Sequence, residues 1–215
     1  MSGYYSPRIV TDGLVLYYDF ANTKCYSGSG SSVNSLTGNY SATLYNSPAF
    51  SQANGGSIIM DGINDYMEVT SVSTGTSRTV DIVYKLLNPS YNWGPLWRTN
   101  DWKERIFPSN VTLINSTTTY YNLVGPLSNT EIVNVCYSYS GTNLRCYRNG
   151  IKTDTQTMSA NMDTGNFTYR FGNQAGGATN AFVNMHLYSV KFYDRQLADD
   201  EVLRNFESIK GRYSL

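Results

Sequence analysis

The sequence predicts an all-β domain that ends in one short helix, and three features lead to that prediction. Short runs rich in β-branched and aromatic residues alternate between polar and apolar positions and recur between clusters of turn residues. An Asn149-Gly150 pair separates two such runs, and these residues readily take the positive φ angles of a tight hairpin turn. The last quarter then changes to an acidic segment at 199–201 followed by apolar residues at helical spacing. Many short strands of this kind indicate a β-sandwich or barrel.

The predicted strands follow one another along the chain with turn residues between them. They do not alternate with long helices, which argues against a parallel α/β fold. His186 is the single histidine, and it falls inside the last run, so we expect a sheet residue rather than a metal ligand. In chain order the runs are residues 14–20, 58–60, 66–69, 79–86, 106–107, 112–114, 119–124, 132–139, 144–148, 167–171 and 183–193.

The terminal helix is predicted from an apolar stripe and from the charges that precede it. Acidic residues at 199–201 lie favourably at the positive end of the helix dipole. Ala198 stands where a serine or threonine would complete a capping box with Glu201, so we expect packing to stabilise this helix. The stripe consists of Val202, Leu203, Phe206 and Ile209.

The length and residue order indicate one domain with a short arm. The chain has 215 residues, and β-sandwiches of roughly 200–250 residues commonly form a single unit. Residues 1–8 carry no strand-length apolar pattern, so we expect an N-terminal arm that orders against a neighbour. Residues 9–215 are then expected to form a single domain.

Charge and hydropathy argue against two classes of partner. Sixteen basic residues balance sixteen acidic ones, which leaves no electrostatic footprint for nucleic acid or an anionic membrane. No apolar run approaches the roughly 20 residues that span a bilayer. The first residues also lack the basic and apolar regions of a signal peptide. We therefore expect no nucleic acid or membrane partner, and synthesis in a cytoplasm.

Three cysteines are too few for a disulfide framework. Cys136 and Cys146 flank a predicted hairpin turn at 140–143, so an antiparallel register can bring them opposite each other on one face. The two alternatives are a cross-strand disulfide and a pair of buried free thiols. We prefer the free thiols.

Five blocks of the sequence follow one another in a recognisable order: residues 12–20, 58–67, 147–150, 171–173 and 187–197. Together they cover most of residues 9–212 and resemble the laminin G-like, concanavalin A-like jelly-roll family. The pattern is similar in particular to single-domain structural proteins of tailed bacteriophages, which often end near a Gly-Arg-Tyr such as 211–213. The resemblance implies a two-sheet antiparallel jelly-roll sandwich and, as a class, binding or virion architecture rather than catalysis.

The strongest local anomaly is a cluster of aromatic residues. Trp93, Trp97 and Trp102 fall within one short segment that also contains Asp101 and Arg105. Flat aromatic faces can stack on the C–H faces of a sugar while polar groups bind its hydroxyls. The segment therefore predicts a glycan platform, with Trp102, Asp101 and Arg105 as the better exposed set. The alternative is that Trp93 and Trp97 belong to the core or to a subunit contact.

A second candidate is the loop at residues 61–65. Asp61, Asn64 and Asp65 place oxygen donors close together, and calcium is bound by six to eight oxygens of this kind. In laminin G-like and lectin domains a calcium often lies at one rim of the sandwich. The alternative, which we prefer, is that the two aspartates cap amides of their own loop. Calcium is thus the one cofactor that the sequence suggests.

The sequence predicts no enzyme. Several glycoside hydrolases share this jelly roll, and the best known group carries a Glu-x-Asp-x-x-Glu motif, which is not found in this chain. The chain also lacks a nucleophile elbow beside its one histidine.

The predicted function is that of a noncatalytic virion surface protein of a bacteriophage. It would be a capsid decoration, head fibre or tail fibre or spike component that contacts the major capsid protein or sister virion subunits and forms a homo-oligomer on the particle. Binding of a cell-surface glycan of the host is a further expected activity. The alternative is a carbohydrate-binding, lectin-like module of a secreted or cell-surface complex. Nineteen tyrosines suit both functions, because tyrosine is common in protein interfaces and in sugar sites.

Overall fold

The computed structural model describes residues 7–87, 97–99, 105–106, 112–114, 120–122, 131–158, 160–173 and 182–215. These residues form two antiparallel sheets that pack face to face, so the predicted two-sheet sandwich is confirmed. Each sheet contains eight strands of the described chain. Among the helices of these ranges, none has the length and apolar character that crossing a bilayer requires.

Strands account for most of the regular structure in the described ranges. They are β1 (Leu14–Asp19), β2 (Ser32–Asn34), β3 (Ser41–Tyr45), β4 (Ala49–Ser51), β5 (Ser57–Asp61), β6 (Tyr66–Thr74), β7 (Ser77–Leu86), β8 (Trp97–Thr99), β9 (Arg105–Ile106), β10 (Thr112–Ile114), β11 (Tyr120–Asn122), β12 (Val133–Ser140), β13 (Asn143–Arg148), β14 (Ile151–Thr157), β15 (Gly165–Phe171) and β16 (Asn184–Tyr193). The helices are a 3₁₀ turn at Ala53–Gly55, α1 (Asp199–Glu207) and α2 (Lys210–Tyr213).

The first sheet has the strand order β14-β13-β12-β7-β16-β5-β4. One edge of β16 pairs with β7, and the other edge is shared by β5 at its start and β1 at its end. The second sheet has the order β11-β10-β9-β8-β15-β6-β3-β2. Consecutive strands β6 and β7 therefore lie in different sheets, which is the crossing expected of a jelly roll.

The core lies between the sheets and consists of the apolar side chains that alternate along each strand. Tyr18, Met60 and Val190 enter it from the first sheet, and Met67 and Phe171 enter it from the second. All five side chains are buried.

Helix α1 covers the outer face of the first sheet. Val202 packs there against Cys136, Tyr147 and Tyr193, which explains why the helix forms without a serine or threonine cap. Glu201 accepts the Ala198 amide at 3.0 Å, but an alanine side chain has no oxygen to return the bond, so half of a capping box is present.

The C-terminal segment differs from the prediction of one helix. After α1 the chain turns at Ser208 and Ile209 and forms the short helix α2. Arg212 in α2 donates to the Asp19 carboxylate at 2.7 Å, which fixes this helix to the end of β1. Of the predicted arm, residues 7 and 8 are described and exposed, and Arg204 donates to the Arg8 carbonyl oxygen at 2.7 Å. Residues 1–6 lie outside the described ranges.

The three cysteines are free and buried, which confirms the preferred prediction of free thiols at Cys136 and Cys146. The register does not bring these two cysteines opposite each other on one face, as the disulfide alternative requires. Cys136 pairs with Tyr147, and Cys146 pairs with Tyr137, so the two thiols are offset by one residue. Because side chains alternate along a strand, Cys146 belongs to the core and Cys136 lies beneath α1.

Candidate functional site

A row of aromatic and charged side chains crosses the open face of the second sheet. Tyr45 in β3 stands directly opposite Tyr66 in β6, and their rings stack 4.5 Å apart at an angle of 6°. The Arg170 guanidinium in β15 lies 5.2 Å from the centre of the Tyr66 ring. Since β6 lies between β3 and β15, Tyr66 stands between Tyr45 and Arg170. We call Tyr45, Tyr66, Glu68 and Arg170 the tyrosine platform.

The charges of the platform hold it in place. Arg170 pairs with Glu68 in the β15–β6 register, and its Nε donates to the Glu68 carboxylate. Partial burial raises the pKa of Tyr66 above its ordinary value, so its hydroxyl stays protonated at neutral pH. The platform therefore offers an aromatic stack, a cation and a hydroxyl that can donate.

One end of the platform is exposed. The pairing of β2 with β3 ends at Ser32, opposite Thr43 and two residues before Tyr45. In the loop that precedes β2, Gly30 has no side chain, and no atom lies within 4 Å of where its Cβ would be. Tyr45 is 36% exposed. The stacked ring of Tyr45 is thus partly open to solvent.

A cleft of about 380 Å³ is lined by Leu44 and Asn46, the residues on either side of Tyr45 in the chain. Tyr26 and Phe50 form part of its wall with ring centres 5.4 Å apart, and the Tyr26 hydroxyl donates to the Gly30 carbonyl oxygen at 2.8 Å. The volume lies within the range of small-ligand sites. The remaining lining residues come from the glycine-serine loop and the loop after β3: Gly28, Ser29, Gly30, Ser31, Ser47 and Pro48.

The aromatic segment predicted from the sequence is only partly described. Strand β8 pairs with β15 so that Trp97 stands opposite Phe171, and Arg105 in β9 stands opposite Arg98. Arg98 in turn stands opposite Arg170. Arg105, Arg98 and Arg170 therefore occupy matching positions on three neighbouring strands. Trp93, Asp101 and Trp102 lie outside the described residues. Glycan binding by this segment stays a prediction.

The loop at 61–65 is held by its own backbone. Asp61 Oδ1 accepts the amides of Ile63, Asn64 and Asp65 at 2.7, 3.1 and 3.3 Å, and Asp65 Oδ2 accepts the Asp61 amide at 3.2 Å. Burial opposes ionisation of Asp61, but these amides outweigh it and hold its pKa below the ordinary value. Asn46 donates to the Asn64 carbonyl oxygen at 2.6 Å and so joins this loop to the rim cleft. The two aspartates cap loop amides, as preferred from the sequence.

Loop amides already occupy one carboxylate oxygen of each aspartate, so this loop offers fewer free oxygens than the six to eight that bind calcium. Within the described ranges no cluster of three His, Cys, Asp or Glu side chains has metal-binding geometry. If the loop bound calcium, a free calcium concentration of one hundred times the Kd would stabilise the fold by about 2.7 kcal/mol. We expect excess chelator to leave the melting temperature unchanged. A fall that added calcium reverses and that Asp65→Asn abolishes would contradict this prediction.

Sequence reasoning missed Tyr45, Tyr66, Tyr26 and Phe50. Tyr45 and Tyr66 meet only through the pairing of β3 with β6. The loop at 27–32 consists of glycine and serine, and Tyr26 directly before it was the available signal for a site.

The chain is similar to known proteins at the level of this fold. The family model described as "Concanavalin A-like lectin/glucanases superfamily" (Laminin_G_3) matches residues 61–203. The search of curated proteins found no match.

Solved structures with a similar fold include carbohydrate-related proteins. Domain 4 of an extracellular arabinanase from Geobacillus stearothermophilus, in complex with arabinotriose, has a TM-score of 0.72 and 13% identity, with 88% of this chain and 96% of that domain covered. The binding domain of botulinum neurotoxin serotype D has a TM-score of 0.66 and 12% identity, with 91% and 52% covered. A Trypanosoma rangeli sialidase in complex with sialic acid has a TM-score of 0.71 and 12% identity, with 99% and 37% covered. The chain thus spans about half of the toxin structure and about a third of the sialidase. At these low sequence identities, the TM-scores show a shared fold and no more.

Proposed function

The chain belongs to the concanavalin A-like lectin/glucanases superfamily, and from this premise we propose that it is a noncatalytic carbohydrate-binding module. The family includes binding modules and glucanases, so membership alone leaves both classes open. The described site favours binding, because its groups suit contact with a saccharide rather than cleavage of one. The sequence lacks the Glu-x-Asp-x-x-Glu motif of jelly-roll hydrolases.

The observation that carries the proposal is the exposed, stacked ring of Tyr45, whose chain neighbours Leu44 and Asn46 line the rim cleft. The β2–β3 pairing ends two residues before Tyr45, and Gly30 in the loop before β2 has no side chain to block a ligand. A pyranose or furanose ring presents apolar C–H groups that pack on such a face. The hydroxyls of the same sugar would meet the serine and asparagine side chains and the backbone groups that line the cleft.

The experiment is a glycan array followed by titration of the strongest ligand. The array should include arabino-oligosaccharides and sialylated glycans, because similar structures are complexes with arabinotriose and sialic acid. We expect Tyr45→Ala to weaken binding about tenfold or more, as loss of a central aromatic contact does. Ile151→Ala is the control variant, because it removes an exposed side chain from β14 of the first sheet. Glycan binding should be unchanged in it.

A second variant separates the two candidate sites. Trp102→Ala tests the segment predicted from the sequence, and Tyr45→Ala tests the platform. Binding lost in Trp102→Ala and kept in Tyr45→Ala would move the site to the tryptophan segment. Absence of binding to every glycan by a folded protein would overturn the proposal.

We also propose a finer role, that this module is displayed on a bacteriophage virion as a decoration, fibre or spike component. The support is the resemblance of the ordered sequence blocks to phage structural proteins. The partners would be the major capsid protein or sister subunits. Purified particles should then contain the chain in stoichiometric, symmetry-related copies, and a chain missing from the particles would remove the virion role without affecting the glycan proposal.

A further inference from the structure

Three arginines occupy matching positions on neighbouring strands of the second sheet. Arg170 in β15 stands opposite Arg98 in β8, and Arg98 stands opposite Arg105 in β9. On its other side Arg170 stands opposite Glu68 in β6. We call Glu68, Arg170, Arg98 and Arg105 the arginine row. Adjacent strands lie about 4.8 Å apart, so the first and third arginine positions are separated by roughly 10 Å.

The arginine row lies on the same face of the sheet as the tyrosine platform. Phe171 in β15 enters the core, and because residues alternate between the two faces of a strand, Arg170 lies on the opposite face. Residues that stand directly opposite each other in paired strands share a face, which places positions 98 and 105 there as well. The row therefore continues the platform, from the aromatic rings of β3 and β6 to the cations of β15, β8 and β9.

The charges of the arginine row do not balance. Glu68 is its one acidic residue, and Arg170 Nε donates to the Glu68 carboxylate. The side chains of Arg170 and Glu68 are 27% and 12% exposed. Where the described strands continue the row on either side, its next positions are Thr43, Ile114 and Tyr120, which add no formal charge. The row thus contains three positive charges and one negative charge.

Such a row is a local departure from the rest of the chain. Only 15% of the residues are charged, and sixteen acidic residues balance the sixteen basic ones. Like charges that stand directly opposite each other on paired strands destabilise a sheet. A ligand that brings negative charge to the row reduces this repulsion, and a guanidinium can bind a carboxylate through two parallel hydrogen bonds.

We propose that the arginine row binds an acidic oligosaccharide that carries a carboxylate on successive sugar residues, an inference that rests on the proposed carbohydrate-binding function. One sugar residue is similar in length to the distance between neighbouring strands, so successive carboxylates meet successive arginines. Glu68 limits the acidic part of the ligand to one side, because it repels a carboxylate placed over β6. The uncharged end of the ligand then lies toward Tyr45, whose ring packs on a sugar.

The test compares tetragalacturonic acid with its methyl ester by isothermal titration calorimetry on the full chain. The two probes have the same sugars, and esterification removes only the negative charges. We expect the acid to bind at least about tenfold more tightly than the ester at low salt, since hydrogen bonds to charged groups contribute enough for this difference. The difference should shrink as sodium chloride is added, because salt screens exposed charges.

Two substitutions are expected to act in opposite directions. Arg98→Gln should weaken binding of the acid roughly tenfold, because one cation is lost. Glu68→Gln should strengthen it, because the carboxylate that competes for Arg170 is removed. A gain of binding does not arise from misfolding, so this second variant tests the proposal even if Arg98→Gln lowers stability. Arg145→Gln is the control, since Arg145 lies in β13 of the first sheet with its side chain 33% exposed.

Four other outcomes overturn the inference. Equal binding of the acid and the ester, or no effect of either substitution, would mean that the arginine row does not bind the ligand. A sialylated or sulfated oligosaccharide that binds as tightly as tetragalacturonic acid would mean that successive carboxylates are not what is recognised. Binding of neutral glycans without binding of the acid would remove this inference and leave the proposed function in place. Absence of binding to every glycan would remove both.

Discussion

Alanine at position 56 is expected to lower the free energy of unfolding by about 2–6 kcal/mol, from backbone strain and overpacking together. Gly56 has φ of +130°, in a region that residues with a side chain rarely adopt. Its Cβ would lie 2.3 Å from the Phe20 carbonyl oxygen, and a backbone atom cannot move aside as a flexible side chain can. Because Gly56 directly precedes β5, relief of the clash would disturb the pairing of β5 with β16.

Gly38→Ala is the matched control for this prediction. Gly38 also has a positive φ, of +82°, but no atom lies within 4 Å of its Cβ position. Gly38→Ala therefore measures only the cost of a positive φ for a residue with a side chain, which is about 1–2 kcal/mol. Denaturant unfolding of both variants gives the comparison. Equal losses in the two would show that the contact with Phe20 adds nothing.

The long central strands could be predicted because both their faces are buried. The runs predicted at 79–86, 132–139 and 183–193 correspond to β7, β12 and β16 within one or two residues. Helix α1 covers one face and the second sheet covers the other, so apolar residues persist along these strands. Their apolar composition alone therefore predicts these three strands.

Strands β2 and β14 are among those that the sequence did not predict, for the opposite reason. Strand β14 is exposed along much of its length and carries mostly polar residues, since it is the edge strand of the first sheet. Strand β2 buries one side chain, Val33. Backbone hydrogen bonds to a neighbour form these strands, and those bonds leave little trace in the residue types.

The candidate site follows the same logic. The tryptophan segment is visible in the sequence because its residues are close along the chain. The platform depends on Tyr45 and Tyr66 being opposite each other in two paired strands, and a register change of one residue would place one ring on the other face. The disulfide alternative for Cys136 and Cys146 depends on register in the same way. Sequence spacing predicted the hairpin but did not determine its register.

Arg78 shows how far a charged residue can depart from its expected exposure. In the sequence it stands at the polar start of a strand, but in the fold it is 2% exposed. Its guanidinium donates to the Tyr169 hydroxyl and to the Asp163 carbonyl oxygen, both at 2.8 Å, and lies 5.1 Å from the centre of the Tyr139 ring. Tyr169 is in β15 of the second sheet, so Arg78 links the two sheets. These partners are distant in sequence.

We therefore expect Arg78→Met to destabilise the fold by about 2–5 kcal/mol. Methionine keeps much of the apolar stem but leaves the Tyr169 hydroxyl and the Asp163 carbonyl without this donor. Arg145→Met is the control: Arg145 lies in β13 with 33% of its side chain exposed and 3.6 Å from Asp199. An exposed pair of this kind contributes less than about 1 kcal/mol. Urea unfolding at neutral pH measures both losses. If the two variants lose the same small amount, the contact between Arg78 and the second sheet does not stabilise the sandwich, and packing of the apolar core alone holds the sheets together at this end.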